Sequence, residues 1–194
     1  MNKTMFTTKQ MVTLAMLSAL AYVLMLIHLP FKYLGFLELE FSDVPAIVAS
    51  LVYGPLAGTI VELIKNAIKA ITATTTGGVG ELANFLTSAC YVIPIGILFQ
   101  RLKGKTKVFG SFAAGIAGFV VSGILVNYFI TVPLYAKLFG GIEVVVGAAA
   151  ATVPAIKNLA TIVILGITPF NIVKGLLMSI AGYMVYKVFR KSLL

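Results

Sequence analysis

The chain has 194 residues, is 60% hydrophobic and only 11% charged, and has a mean hydropathy of +1.05. Soluble domains carry roughly a quarter charged residues, so a surface solvated mainly by water is excluded and a bilayer is the expected solvent. The net charge of +9 does not indicate nucleic acid, because the basic residues gather at the two chain ends and in Arg101, Lys103, Lys105 and Lys107, the pattern of cytoplasmic helix edges.

A first helix is expected from about Thr7 to His28. Lys3 and Lys9 precede an apolar run, and Ala19-Leu20-Ala21 resembles a signal-peptide cleavage site. The uncharged stretch runs past that tripeptide, from Met11 to Ile27, so the segment reads as a retained helix. Ala15 and Ala19, with Ser18 beside them, form a small-residue face that serves either internal packing or docking of a partner. A loop follows from Leu29 to Ser42. The next helix, Asp43 to Tyr53, is too short to span a bilayer alone; Asp43 is its expected N-cap, with Pro45 in the first turn.

A third helix is expected from Pro55 to Ile71. Glu62, Lys65, Asn66 and Lys69 fall at i, i+3, i+4 and i+7 on it and form one polar stripe. Internal pairing of Glu62 with Lys65 is the structural reading of that stripe, and ligand contact is the functional one. A Thr- and Gly-rich loop leads to a fourth helix, Glu81 to Leu102. Glu81 and Asn84 share a face at its start, where Glu81 suits either the helix N-terminus or a ligand. The fifth helix runs from Val108 to about Ala136 and carries Asn127 some 28 Å along its length, at roughly 1.5 Å per residue.

The stretch from Lys137 to Ile167 holds Gly140-Gly141, Glu143, Pro154 and Lys157. A seventh span is one option; two short helical pieces at the outer face are preferred. The sixth helix then starts at Thr168-Pro169, with Thr168 as N-cap, and ends near Phe189, about 31 Å long. The expected architecture is thus an all-α integral membrane protein, one domain over residues 1–194, with six transmembrane helices. An even number of spans puts both basic ends and the 101–107 turn in the cytoplasm, and the acidic first loop outside.

Ionisable groups inside spans are costly and are functional candidates. Lys174 is the only charge between Asn158 and Tyr186, and Asn171 lies one turn before it. With Asn127 they converge at one depth below the first loop. They either line an outward-facing ligand pocket, or make interhelical hydrogen bonds while Lys174 snorkels. Cys90 and His28 are each the sole residue of their type, so neither a disulfide nor a metal site is expected. Gly104-Lys105-Thr106 resembles the end of a phosphate-binding loop, but Phe99 stands where that motif needs glycine. No G-x-S-x-G, H-E-x-x-H or C-x-x-C occurs, and an enzyme is not expected.

Glu40-Phe41-Ser42-Asp43-Val44-Pro45-Ala46, Tyr53-Gly54-Pro55, Ile64-Lys65-Asn66, Gly80-Glu81-Leu82-Ala83-Asn84-Phe85 and Thr168-Pro169-Phe170-Asn171-Ile172-Val173-Lys174-Gly175 occur in this order. Together they resemble the riboflavin-specific substrate-binding subunit of energy-coupling-factor (ECF) vitamin transporters, over nearly the whole chain. The resemblance implies a multi-pass protein of the bacterial cell membrane that binds riboflavin from outside and needs no cofactor. It implies a coupling transmembrane subunit and two cytoplasmic ATPases as partners, the former docking on Ala15 and Ala19. Asn127, Asn171 and Lys174 match positions expected to bond the flavin, and Phe41 would help cover it; Glu81 and Asn84 join them as ligand-binding candidates. Binding of the phosphorylated flavin FMN stays open. The alternatives are a binder of another vitamin on the same scaffold, an ion-coupled transporter using Glu62 or Lys174, and a membrane enzyme.

Overall fold

The computed structural model describes residues 6–27 and 32–193. The first helix, α1 (Thr8–Leu26), starts with a capping box: the Thr7 hydroxyl accepts from the Gln10 N–H, and the Gln10 side chain accepts from the Thr7 N–H. Its expected end at His28 lies outside the described residues. The short α2 (Asp43–Tyr53) is buried at every position from Asp43 to Leu51 and packs against α1, α3, α4 and α9. Asp43 is not its N-cap, as the sequence suggested. Ser42 holds that position, without a side-chain cap, and the Asp43 carboxylate pairs with buried lysines instead, because a carboxylate this far from water needs a charged partner.

Gly54, at φ +99°, separates α2 from α3 (Pro55–Thr72), and Pro55 occupies the first helical turn. Then come α4 (Val79–Arg101) and α5 (Gly104–Val126). α5 passes through a π-turn at Asn127–Thr131 into α6 (Val132–Phe139). α7 (Ile142–Thr152) is short. A single turn, α8 (Leu159–Thr161), leads through a second π-turn, Ile162–Ile167, into α9 (Thr168–Leu193).

Two sequence expectations change here. The fifth helix is longer at both ends, from Gly104 to Phe139. The last helix does not start at Thr168-Pro169; it starts at Leu159, capped by the Asn158 side chain. The second change has a local reason. A proline removes one N–H and clashes with the carbonyl four residues back, which breaks an α-helix. Pro133 and Pro169 each follow a π-turn by two residues, and the i→i+5 pattern of that wider turn carries the helix on. In the second π-turn the Thr168 N–H and hydroxyl both bond the Val163 carbonyl, five residues back. Between Lys137 and Ile167, the expected break around Pro154 falls at Val153–Asn158; the piece after it belongs to the last helix.

Among the described residues, four helical stretches are long and apolar enough to cross a membrane: Thr8–Leu26, Val79–Arg101, Thr106–Phe139 and Leu159–Lys191. α3 has the length, 18 residues, but carries Glu62, Lys65 and Lys69. Two apolar clusters organise the interior. One centres on α2 and includes Ile47, Tyr91, Phe119 and Met178. The other gathers Leu34, Val132, Tyr135, Val145 and Ile167 around the π-turns.

Candidate ligand-binding site

A cavity of about 360 Å³ opens between the two clusters, lined by Phe119 from the first and by Leu34, Tyr135 and Val145 from the second. That volume suits a small organic ligand. Residues 32–40 form one wall. Tyr33 and Leu37 exchange backbone hydrogen bonds of 2.8 and 2.9 Å across a tight turn. Within the turn Leu34 takes φ +55° and Gly35 φ +83°. A left-handed leucine is strained, and burial holds it there: Leu34 is wholly enclosed and packs where a methyl group on Gly166 would come within 2.3 Å of it. The loop is therefore seated on the second π-turn. Tyr33 stacks on Phe170 with ring centroids 5.8 Å apart, and Phe36 meets Tyr135 edge-on at 5.4 Å.

α5 and α9 bring Asn127, Asn171 and Lys174 to the cavity together; all three are buried. Asn127 opens the first π-turn, and its Nδ2 donates to the Gly123 carbonyl at 2.7 Å. Asn171 lies against the same glycine. A Cβ on Gly123 would sit 2.1 Å from its Nδ2. The Asn171 carboxamide makes no hydrogen bond among the described residues, so its donors and acceptor remain for a ligand.

Lys174 donates to Glu40 Oε1 at 2.8 Å and lies 3.2 Å from Asp43 Oδ2. An ammonium has three N–H groups and Glu40 accepts one, so donor capacity remains to reach a ligand oxygen. Glu40 also accepts from the Ser42 N–H at 2.6 Å. Burial pushes the Glu40 carboxyl up, but the Lys174 ammonium, helped by Lys65, more than offsets this and holds it below the usual carboxylate value. Asp43 extends the network inward to Lys65 and to the Ser88 hydroxyl. Lys65 pairs with Glu62 at 2.8 Å along α3. Glu62, Lys65 and Asn66 are buried away from the cavity, so internal pairing accounts for that part of the stripe. Lys69 does line the cavity and reaches Glu38 at 3.4 Å.

Glu81 and Asn84 also line the cavity. Glu81 accepts from Thr74 and Thr76 hydroxyls at 2.9 and 3.1 Å, fixing the α3–α4 loop, and Asn84 accepts from Ser88 and Asn66. Phe41 does not line the cavity and is 48% exposed; its neighbour Glu40 faces inward instead. Ala15 and Ala19 lie exposed on α1, within a face that includes Met11, Met16 and Leu20. Among the described residues no cluster of His, Cys, Asp and Glu is placed to hold a metal.

Sequence reasoning missed Glu40, Gly123 and Tyr135. Glu40 was findable: a lone lysine in an apolar helix needs a buried anion, and the first loop supplies acids. Gly123, one turn before Asn127, was marked only by its spacing.

The family model for the ECF transporter, substrate-specific component, matches residues 9–186. The chain is 35% identical to the riboflavin transporter FmnP of Bacillus subtilis over 183 residues, 92% of this chain and 90% of that protein. It is also 35% identical to the riboflavin transporter RibU of Staphylococcus aureus, over 92% of this chain and 89% of the relative. RibU of Streptococcus thermophilus is 26% identical over 95% of this chain and 84% of its own length. A solved structure described as the S component of a bacterial ECF transporter superposes with a TM-score of 0.75 at 30% identity, covering 95% of this chain and 97% of the other. The chain therefore belongs to the substrate-specific components of ECF transporters, a transport family and not an enzyme family.

Proposed function

We propose that this protein is the riboflavin-binding membrane subunit of an ATP-driven ECF-type importer and captures riboflavin from the extracellular side. The observation that carries this reading is the meeting of two amides and one ammonium, Asn127, Asn171 and Lys174, on one cavity walled by aromatic side chains. Riboflavin is uncharged and flat, with a pyrimidine edge of alternating donors and acceptors and a hydroxylated chain. A carboxamide offers both kinds of group to such an edge. The rings of Phe119, Tyr135 and Phe170 supply apolar contact. The names of the relatives agree with this ligand. Glu81 and Asn84 stand on the wall as further contacts. Phe41 would reach the ligand only if the loop shifted, since its ring lies outside the wall.

Six crossings with both ends cytoplasmic fit the basic residues best. In this reading α3 and the short α2, which is enclosed by longer helices rather than spanning alone, complete the count beyond the four long apolar stretches, and the charges of α3 are tolerable because they pair internally. Membrane-impermeant thiol labelling of single-cysteine variants checks this: cysteine at Gly77 should react from outside intact cells and cysteine at Lys103 should not. The exposed α1 face around Ala15 and Ala19 is the proposed contact for the coupling membrane subunit, with two cytoplasmic ATPases supplying the energy.

Isothermal titration of the purified protein against a panel of vitamins tests the ligand assignment. Riboflavin should bind, and thiamin and pantothenate should not. Binding of either of those in place of riboflavin would move the protein to another substrate on the same scaffold.

A further inference from the structure

At the end of the bundle away from the cavity, α4 ends, α5 starts and α9 ends. Glu81, in the first turn of α4, lines the cavity. Arg101, the last residue of that helix, stands about 30 Å further along, at roughly 1.5 Å per residue. Aromatic contacts lock the three helix ends together. Phe99 of α4 meets Tyr186 of α9 edge-on at 5.3 Å, and the Lys107 ammonium of α5 lies 4.2 Å from the centre of the Phe99 ring. Tyr186, Phe189 and Arg190 fall at i, i+3 and i+4, on one face of α9. Lys107 and Arg190 therefore flank the same aromatic contact.

No carboxylate side chain compensates them. The sequence has six Asp and Glu residues, and all stand elsewhere. Glu38, Glu40 and Glu81 line the cavity, Asp43 and Glu62 belong to the buried network, and Glu143 opens α7. The N-terminal segment, the 101–107 turn and residues 187–191 hold nine of the fifteen basic residues, so the whole surplus of +9 belongs to them. Helix stability does not account for the cluster. Cations suit the C-terminal ends of α4 and α9, but Lys105 and Lys107 stand in the first turn of α5, where the helix dipole disfavours them.

Beside these charges the surface is apolar: Phe189 is 53% exposed and Phe109 80%. A soluble anion offers nothing to such rings, whereas a molecule with an anionic head and hydrocarbon chains matches both features. We propose that this end of the bundle binds an anionic phospholipid of the adjoining leaflet, its phosphate held by Lys107 and Arg190 and its chains against Phe189. In the orientation proposed above this is the inner leaflet, whose anionic lipids attract basic segments at helix ends. The proposal does not depend on which ligand occupies the cavity.

Native mass spectrometry of the full-length protein in neutral detergent, titrated with phosphatidylglycerol or phosphatidylcholine, tests this. Wild type should bind phosphatidylglycerol at least about tenfold more tightly. K107Q/R190Q should weaken phosphatidylglycerol binding by at least about tenfold, at roughly fivefold per basic residue. K137Q/K157Q removes the same charge from exposed lysines outside the patch and should stay within about threefold of wild type. Inorganic phosphate at millimolar concentration should not displace the lipid. Equal wild-type affinity for the two lipids would overturn the proposal and leave the patch to an acidic protein surface. Wild-type affinity in K107Q/R190Q, an equal loss in both double variants, or displacement by inorganic phosphate would overturn it as well. The wild-type comparison decides the matter even where K107Q/R190Q fails to fold.

Discussion

Lys174 is held by its surroundings before any ligand arrives. Glu40 accepts one of its N–H groups and the Asp43 carboxylate pairs with it at 3.2 Å, and Asp43 is fixed in turn by Lys65 and Ser88. Such a network spares the ligand the entropy of ordering a long side chain, about 1.5–2 kcal/mol for lysine. It is also unforgiving. Removing one member of a buried ion pair strands the other, typically at about 3–5 kcal/mol, so Lys65, which serves both Asp43 and Glu62, matters to stability although it does not line the cavity. At this scale the sequence was legible where an ionisable or amide residue stood alone in an apolar run. Lys174 and Asn171 could be found that way. It was not legible where the partner is distant in sequence: the Lys174–Glu40 contact joins residues 134 positions apart, and helical spacing carries no information about it.

The elements that shape the site are the two π-turns. Each widens its helix just before a proline and sets side chains onto the cavity, Asn127 and Thr131 from one, and Phe170 and Asn171 just past the other. Thr168-Pro169 correctly marked irregular backbone but read as a helix start when the chain was in fact changing register, since local sequence does not separate the two cases; Pro133 lay unmarked inside the expected fifth helix. α5 and α9 meet at Gly123, where only a hydrogen fits beside the Asn171 amide. Gly123→Ala should therefore displace Asn171 and weaken riboflavin binding by at least about tenfold, roughly 1.4 kcal/mol, although alanine favours the helix itself by up to about 1 kcal/mol. Titration alongside a thermal melt checks this; a variant with wild-type affinity and wild-type melting would show that the close approach at Gly123 does not set the site.

Across the whole molecule, a central buried helix, α2, is sheathed by longer ones, and the cavity opens between two apolar clusters under the 32–40 loop. The helical membrane class was legible from composition alone, because so few charged residues cannot cover a soluble surface. The seating of the first loop was not: it depends on Leu34 meeting Gly166, a contact between segments with no shared pattern. The central claim is that Asn171 and Lys174 bond the captured flavin. Flavin-fluorescence quenching of wild type, Asn171→Ala and Lys174→Ala tests it most directly. Each substitution should weaken riboflavin binding by at least about tenfold in a protein that still folds, since an unmatched polar group costs about 1–3 kcal/mol. Wild-type affinity in both variants would contradict it.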